Sequence, residues 1–429
     1  MVDSRTVSDL RLPDDLERVL GGASTSRPKD LSVACYTFPH YHRSALNDDL
    51  YGPGWTEFVL SRSARPRFEG HYQPRVPLLG ELDERDPATW TQYNKLLQAV
   101  GVDTLIWDWY WYDGKPALHE ALEEGYLRSQ HQGRFAVMWT NAVWPIFMTT
   151  RHVDDTSAWP FAFASPDTPE ETWRSLSYMV ARYMHLPNYM RMPNGDPFLV
   201  IYDTVRMEVA LGASGVREFF DELRAFARKL GHTGLHIHAC QGIVARLGGF
   251  QTFDHLDQMG YDSYGLYNPI VIAGMERPEE EGGVLDYGLL AADTVSKIWP
   301  TLDERSPLPF LPAVSPGWDN SPRFPQYDPS RRKAGGLIAV DETPAAFESL
   351  LRGALAFLNE RPSYPPIVLI GCLNEWTEAA CLLPDTKFGY GMLEAVGKAV
   401  GADAKPWLTL AGTPGVEPEI WPGPLPEDD

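Results

Sequence analysis

Eight short apolar runs, each followed by a stretch with helical spacing, constrain this 429-residue chain more than any other feature. The runs fall at residues 31–37, 102–107, 135–139, 197–202, 235–240, 256–259, 310–314 and 367–372. The last reads Ile367-Val368-Leu369-Ile370 before a polar cluster, the composition of a strand buried on both faces. Helices are expected at 87–100, 118–129, 169–185, 216–230, 243–247, 285–302, 344–359 and 391–400. Pro87 stands at a favoured first-turn position and Gly231 at a helix end. Repeated strand-helix units imply parallel pairing with right-handed crossovers, and eight of them favour a closed ring over an open doubly wound sheet. No G-x-G-x-x-G or G-x-x-x-x-G-K-[ST] follows the first run, which counts against a nucleotide fold. The expected class is α/β: a single (β/α)8 TIM barrel with long strand-to-helix loops, the segment 38–86 among them. Residues 1–30 read as an N-terminal appendage with a helix at 14–20, residues 31–405 as the barrel, and residues 406–429 as a Pro- and Gly-rich tail.

Composition narrows the partners. With 44% hydrophobic and 22% charged residues the chain has ample material for a core. A formal charge of -21 repels nucleic acid and anionic membrane surfaces. No apolar run approaches the roughly 20 residues of a membrane-spanning helix. The acidic start MVDSRTVSDL lacks the basic and then apolar character of a secretory leader, so the expected compartment is the cytoplasm. Cys35, Cys240, Cys372 and Cys381 form no C-x-x-C pair, and the first three lie in strand-like runs, as reduced core thiols do. Nothing in the sequence fixes an oligomeric state.

In a barrel of this kind the chemistry lies just past the C-terminal ends of the strands. Asp108, Trp109 and Tyr110 follow the second run, Trp139 and Asn141 close the third, and Asp203 follows the fourth. His236 and His238 lie in the fifth, Tyr261 and Tyr264 follow the sixth, and Trp318 and Asp319 follow the seventh. Asn374, Glu375, Trp376 and Glu378 follow the eighth. With 14 Trp and 19 Tyr in the chain, this gathering of aromatics reads as a groove that stacks on sugar faces, against the alternative of a large packed core. Glu375 and Glu378 form the sharpest pair. Two carboxyls three positions apart suit acid/base work on a glycosidic bond, and burial with like charge would raise one of their pKa values. Helix capping or ion pairing is the competing reading. His236-x-His238 puts two imidazoles on one side of a strand, but the carboxylates of a metal site are not at recognisable spacing, so barrel lining or sugar contact is preferred and no metal or cofactor is expected. His40-Tyr41-His42 fits a substrate pocket or loop packing equally. No G-x-S-x-G occurs, which counts against a serine hydrolase.

The ordered set of motifs resembles the family 99-like glycoside hydrolase domains, which include proteins labelled WbsX-like, over roughly residues 31–400. The matching blocks are Tyr36-Thr37-Phe38-Pro39-His40-Tyr41-His42 with Asn47-Asp48, Gly54-Trp55-Thr56-Glu57-Phe58, and Gly70-His71-Tyr72-Gln73-Pro74-Arg75. They continue with Asp108-Trp109-Tyr110-Trp111-Tyr112-Asp113, Asn194-Gly195-Asp196-Pro197, Pro316-Gly317-Trp318-Asp319-Asn320-Ser321-Pro322-Arg323 and Asn374-Glu375-Trp376-Thr377-Glu378. The resemblance implies retaining hydrolysis of α-mannoside-type bonds. It makes Glu375 the base on a sugar 2-hydroxyl, which closes to a 1,2-anhydro sugar, and Glu378 the acid/base. Tyr36, His40, His71, Asp108, Trp109, Tyr110, Trp139, Asn141, His238, Tyr261, Tyr264, Trp318, Asp319, Asn374 and Trp376 are the expected substrate contacts, with an oligosaccharide or glycoside as the partner. Ala142, Ala379 and Leu383 replace residues usual in the family pattern, a difference that bears on which sugar is accepted. Two other readings stand beside hydrolysis: a glycosyltransferase or transglycosidase of polysaccharide assembly, for which Arg331-Arg332-Lys333 is the one tight basic cluster, and a catalytically silent carbohydrate-binding barrel.

Overall fold

A computed structural model describes residues 25–142, 144–145, 161–163, 168–241, 254–277, 283–323 and 337–402. The expected helices at 14–20 and 243–247, the tail 406–429 and the basic triplet 331–333 lie outside the described residues.

The strands are β1 (Ser32–Thr37), β2 (Thr104–Tyr112), β3 (Arg134–Trp139), β4 (Phe198–Ile201), β5 (His236–Gln241), β6 (Ser263–Leu266), β7 (Phe310–Leu311 with Ala313–Val314) and β8 (Ile367–Ile370). All pair in parallel with their sequence neighbours, and β1 also pairs with β8, Ser32 opposite Ile367. The ring closes through β7. Its first half pairs with β6, Phe310 opposite Tyr264, and its second half with β8, Ala313 opposite Leu369. Pro312 has no N–H to give a ladder and divides the strand, yet its carbonyl still accepts from Leu369 N at 3.0 Å. Nine parallel segments thus form eight strands, and the (β/α)8 barrel is the fold.

The helices pack outside the ring where the apolar spacing places them. Pro87–Ala99, Pro169–Tyr183 and Pro344–Asn359 each begin with Pro behind a capping side chain, that of Asp86, Thr168 and Thr343 respectively. The helix expected at 216–230 extends back to Thr204 and kinks at Gly212, whose φ of 70° interrupts it. The one expected at 118–129 is a π turn, Ala121–Gly125, followed by a 3-10 turn, Tyr126–Arg128. At 285–302 the first residues instead form a short strand, Val284–Asp286, and Asp286 caps the helix that follows.

The sixth strand is a correction. Residues 256–259 do not form it. That segment is a turn in which Met259 N bonds His255 O at 3.1 Å and Gly260 N bonds Asp257 O at 3.1 Å. Its apolar residues, Leu256 and Met259, are three apart, a helical rather than a strand spacing. The true strand, SYGL, hides behind Gly265. A Cβ there would lie 2.8 Å from the Leu311 carbonyl oxygen, so close strand approach requires the glycine that weakens the pattern.

Candidate active site

The hairpin after β8 carries the central residues. At Gly371 any Cβ would collide with the Tyr267 carbonyl, so the chain passes tightly over the end of the barrel. Asn374-Glu375 then pairs antiparallel with Ala380-Cys381 around the turn Trp376–Glu378. Ala379 closes the turn in the left-handed region, φ 55°. The Asn374 amide clasps β1: its Oδ1 accepts from Phe38 N at 2.9 Å, and its Nδ2 donates to Phe38 O at 2.8 Å and to Glu84 Oε1 at 2.5 Å. Tyr41 OH accepts from Trp376 N at 2.9 Å.

Arg323, on the turn Ser321–Arg323, holds three carboxylates together. Its Nε and Nη2 donate to Glu57 Oε1 at 3.1 and 2.9 Å. Nη2 also donates to Glu375 Oε1 at 3.0 Å, and Nη1 contacts Glu378 Oε1. Glu57 further accepts from Thr377 Oγ1, and its Oε2 lies 2.5 Å from His40 Nδ1. Below them, Tyr267 OH lies 3.0 Å from Glu375 Oε2 and 3.1 Å from Asp108 Oδ2, while Asp108 Oδ1 has no hydrogen-bond partner among the described residues.

These carboxyls differ in their hold on a proton. Burial opposes ionisation of Glu57, but Arg323, His40 and Thr377 outweigh it and bring its pKa down to about 2. Burial raises Glu375 in spite of Arg323. Burial, together with the neighbouring charges of Glu375 and Glu57, lifts Glu378 well above the carboxylate range. Asp108 is also well above it, through burial and the charge of Glu375. The cluster therefore holds one carboxylate kept ionised, Glu57, and two carboxyls that resist ionisation, Glu378 and Asp108, with Glu375 between them.

The structure brings some of the expected residues to this cluster and turns others away. Tyr36 lies inside the barrel with its ring 4.8 Å from that of Tyr267. Tyr110 shares the inner face of β2 with Asp108, since alternate strand residues face the same way. Asp319 supports the hairpin: its N donates to Glu378 O at 2.7 Å, and its carboxylate accepts from His71 Nε2 at 2.8 Å and Gln73 Nε2 at 2.6 Å. Burial works against that carboxylate, but His71 leads the partners that hold it at about 2. His40 reaches the cluster through Glu57, and Asn374 holds the backbone of Phe38, just past β1. Asn141 ties β3 to β4, its Nδ2 donating to Asp203 O at 2.8 Å and its Oδ1 accepting from Asp203 N at 2.7 Å. Trp318 and Trp376 sit beside the cluster and are each 3% exposed.

Four assignments are corrected. Trp109 and Trp139 are register partners in β2 and β3 and share the outward face. Trp109 Nε1 donates to Tyr183 OH at 3.0 Å, and its ring lies 5.8 Å from that of Tyr178, both on the helix Pro169–Tyr183. Tyr264 also faces the helices, donating to Leu302 O, with its ring 5.2 Å from that of Phe310. Tyr261 packs 5.0 Å from Phe220 of the helix Thr204–Lys229. These aromatics fill the layer between strands and helices, as core rather than groove. His238 lies deep in the barrel, with Nδ1 2.9 Å from Ser263 Oγ; His236 Nε2 is 2.7 Å from the same hydroxyl. Burial pushes His238 well below the usual imidazole value and His236 to about 4. Among the described residues no group of three His, Cys, Asp or Glu is arranged to hold a metal ion, and no helix is long and apolar enough to cross a membrane. Sequence reasoning gave no role to Arg323, Glu57 or Tyr267. The first two stood in its motif blocks; the third lay just past a strand that was expected elsewhere.

A closed ring of eight parallel strands with its polar cluster at the C-terminal rim defines a (β/α)8 barrel that presents its chemistry at that rim. The chain belongs to the family described as Glycosyltransferase WbsX, which it matches over residues 33–396. A protein named WxcX from Xanthomonas campestris pv. campestris is 28% identical over 385 residues, 86% of this chain and 49% of that protein. Its counterpart in strain B100 is 28% identical over 395 residues, 88% of this chain and 51% of that protein. The chain thus spans about half the length of these curated relatives. Among solved structures, the GH99 endo-alpha-mannosidase from Bacteroides thetaiotaomicron superimposes with a TM-score of 0.53 at 12% identity, covering 87% of this chain and 98% of that one. A glycoside hydrolase-like protein gives 0.53 at 12% identity, covering 90% and 99%. At such identity the likeness is one of fold.

Proposed function

We propose that this domain is a retaining glycoside hydrolase acting on an α-manno-configured bond, a mannoside or a rhamnoside. The observation that carries the reading is the pairing of Glu375 with Glu378 on one guanidinium, where burial and neighbouring charge raise the pKa of Glu378 further than that of Glu375. In the first step Glu375 takes the proton of the sugar 2-hydroxyl, O2 attacks C1, and Glu378 gives its proton to the departing glycosidic oxygen. In the second, water attacks C1 of the 1,2-anhydro sugar, Glu378 takes the water's proton, and Glu375 returns its own to O2. Configuration at C1 is inverted twice and so retained. Tyr267 holds Glu375 from below, and the free Oδ1 of Asp108 offers an acceptor for a sugar hydroxyl.

The family's name favours a second reading, glycosyl transfer. A sugar-nucleotide donor would need cations for its diphosphate, and at this cluster Arg323 is already shared by Glu57, Glu375 and Glu378, so the arrangement supports hydrolysis. A screen of synthetic α-mannosides, α-rhamnosides and oligosaccharides, with the product anomer followed by proton NMR, decides between them. Release of the α-anomer, abolished in Glu375→Gln and Glu378→Gln, is the expected result. Near-normal rates in either variant, or turnover only with a sugar nucleotide, would overturn the assignment.

A further inference from the structure

The Arg323 guanidinium is divided unequally. Glu57 takes Nε and Nη2, Glu375 shares Nη2, and Glu378 meets Nη1 alone. Glu57 is itself fixed from two other sides, by His40 Nδ1 and by Thr377 Oγ1. His40 in turn is held by Asn47, its Nε2 2.9 Å from Asn47 Oδ1. A fully buried carboxylate secured in this way does more than brace the loop. It stands beside the other two glutamates with its own negative charge while taking part of the cation they share.

We propose that Glu57 is a positioning residue for the acid/base: by engaging Arg323 through two nitrogens and adding its own charge, it keeps Glu378 protonated at the start of each turnover. The inference rests on the hydrolase reading of the pair. Glu378 is faced by Glu375 on its own hairpin, by Arg323 on the turn Ser321–Arg323 and by Glu57 at the head of the helix Phe58–Ser63. Asp108 of β2 and Tyr202, just past β4, face it from below. Of these only Arg323 is a cation, and it favours the ionised form of Glu378. The charges of Glu375 and Glu57 oppose ionisation. Neutralising Glu57 therefore acts twice in one direction: the guanidinium, which Glu378 already meets at Nη1, is shared with one fewer carboxylate, and one repelling charge disappears. A carboxyl that ionises too early cannot protonate the leaving oxygen.

The test is the pH dependence of kcat/KM in Glu57→Gln, measured on whichever α-glycoside the wild-type protein hydrolyses. The expected result is an alkaline limb displaced toward acid by about one pH unit or more, with activity at neutral pH down roughly tenfold and the loss recovered at lower pH. A uniform loss across the profile, with the limb unmoved, would show a merely structural role and overturn the proposal. Should the variant not fold, the wild-type protein decides by infrared spectroscopy, its Glu378 carboxylic band assigned by difference against Glu378→Gln. That band should persist above about pH 5, where an ordinary Glu has ionised; its loss below that pH would overturn the proposal. The infrared reading needs no turnover, so it separates failure of the charge competition from failure of the hydrolase assignment, which Glu375→Gln and Glu378→Gln judge.

Discussion

Replacement of Arg323 by Met removes the guanidinium shared by Glu57, Glu375 and Glu378 while keeping much of the side-chain volume. The loss can be worked from Glu57. Its folded pKa of about 2 lies below its ordinary value of 4.5. A shift of that size corresponds to about 3 kcal/mol of folding stability at neutral pH. Burial opposes the shift, and Arg323 is the largest of the partners that produce it, so most of the 3 kcal/mol depends on the guanidinium. Because the folded value is the lower one, this stability is present in full above about pH 4.5 and is lost as the pH falls through about 2. Arg323→Met should therefore unfold in less urea than the wild type at pH 7, by about 3 kcal/mol, and the gap should shrink to about half of that at pH 3. Tryptophan fluorescence reports the transition. A gap below about 1 kcal/mol at pH 7, or one that does not narrow in acid, would refute the view that Arg323 carries the charge balance of the site.

Other substitutions test separate parts of the structure. Asn374→Ala leaves the Phe38 N–H buried without its acceptor, while the Phe38 carbonyl keeps His40 N at 3.1 Å, and should cost about 2 kcal/mol, speed hydrogen exchange at the Phe38 amide and lower turnover together. Asp108→Asn removes a carboxyl whose folded pKa lies above the unfolded one, a group whose contribution is lost as pH rises; the melting temperature of the variant should gain on the wild type between about pH 4 and pH 8. Ala379→Gly should leave activity unchanged and raise the free energy of unfolding, measured in urea, by up to about 1 kcal/mol, because the left-handed conformation suits glycine better than alanine. Trp109→Phe should cost about 1 kcal/mol for the lost bond to Tyr183 while keeping kcat/KM within about twofold, since the ring faces the helices; a large fall in kcat/KM would return Trp109 to the sugar site.

The periodicity of the fold was legible because it comes from strong, local chemistry. Apolar strands, Pro-led helices behind Asp86, Thr168 and Thr343, and the polar release at Glu375 each stand within a few residues of one another. The sixth strand was not legible, since Gly265 sacrifices a side chain for contact with Leu311. That displacement also concealed Tyr267, which follows the true strand and reaches both Asp108 and Glu375. Trp109, Trp139 and Tyr264 were misplaced for a related reason. Trp109 and Tyr264 were read as lying beyond their strands and Trp139 as closing its own, whereas β2 continues to Tyr112, β6 contains Tyr264, and strand alternation turns these residues toward the helices. Arg323 stands in a motif block, but nothing local shows its role. It lies on an irregular turn, 266 positions from Glu57, and its role exists only once the barrel has closed.

The clasp of Asn374 on Phe38 joins segments 336 positions apart, and this has a consequence for how the protein is made. Such long separations give a chain high contact order and delay its productive contacts until nearly all of it is available. Glu57 emerges early in synthesis and must wait, as a carboxylate without its guanidinium, for the final quarter of the chain. Recovery of turnover during refolding should then coincide with the slowest change in fluorescence. Fragments ending before β8 would lack both the seam of the ring and the pair of glutamates.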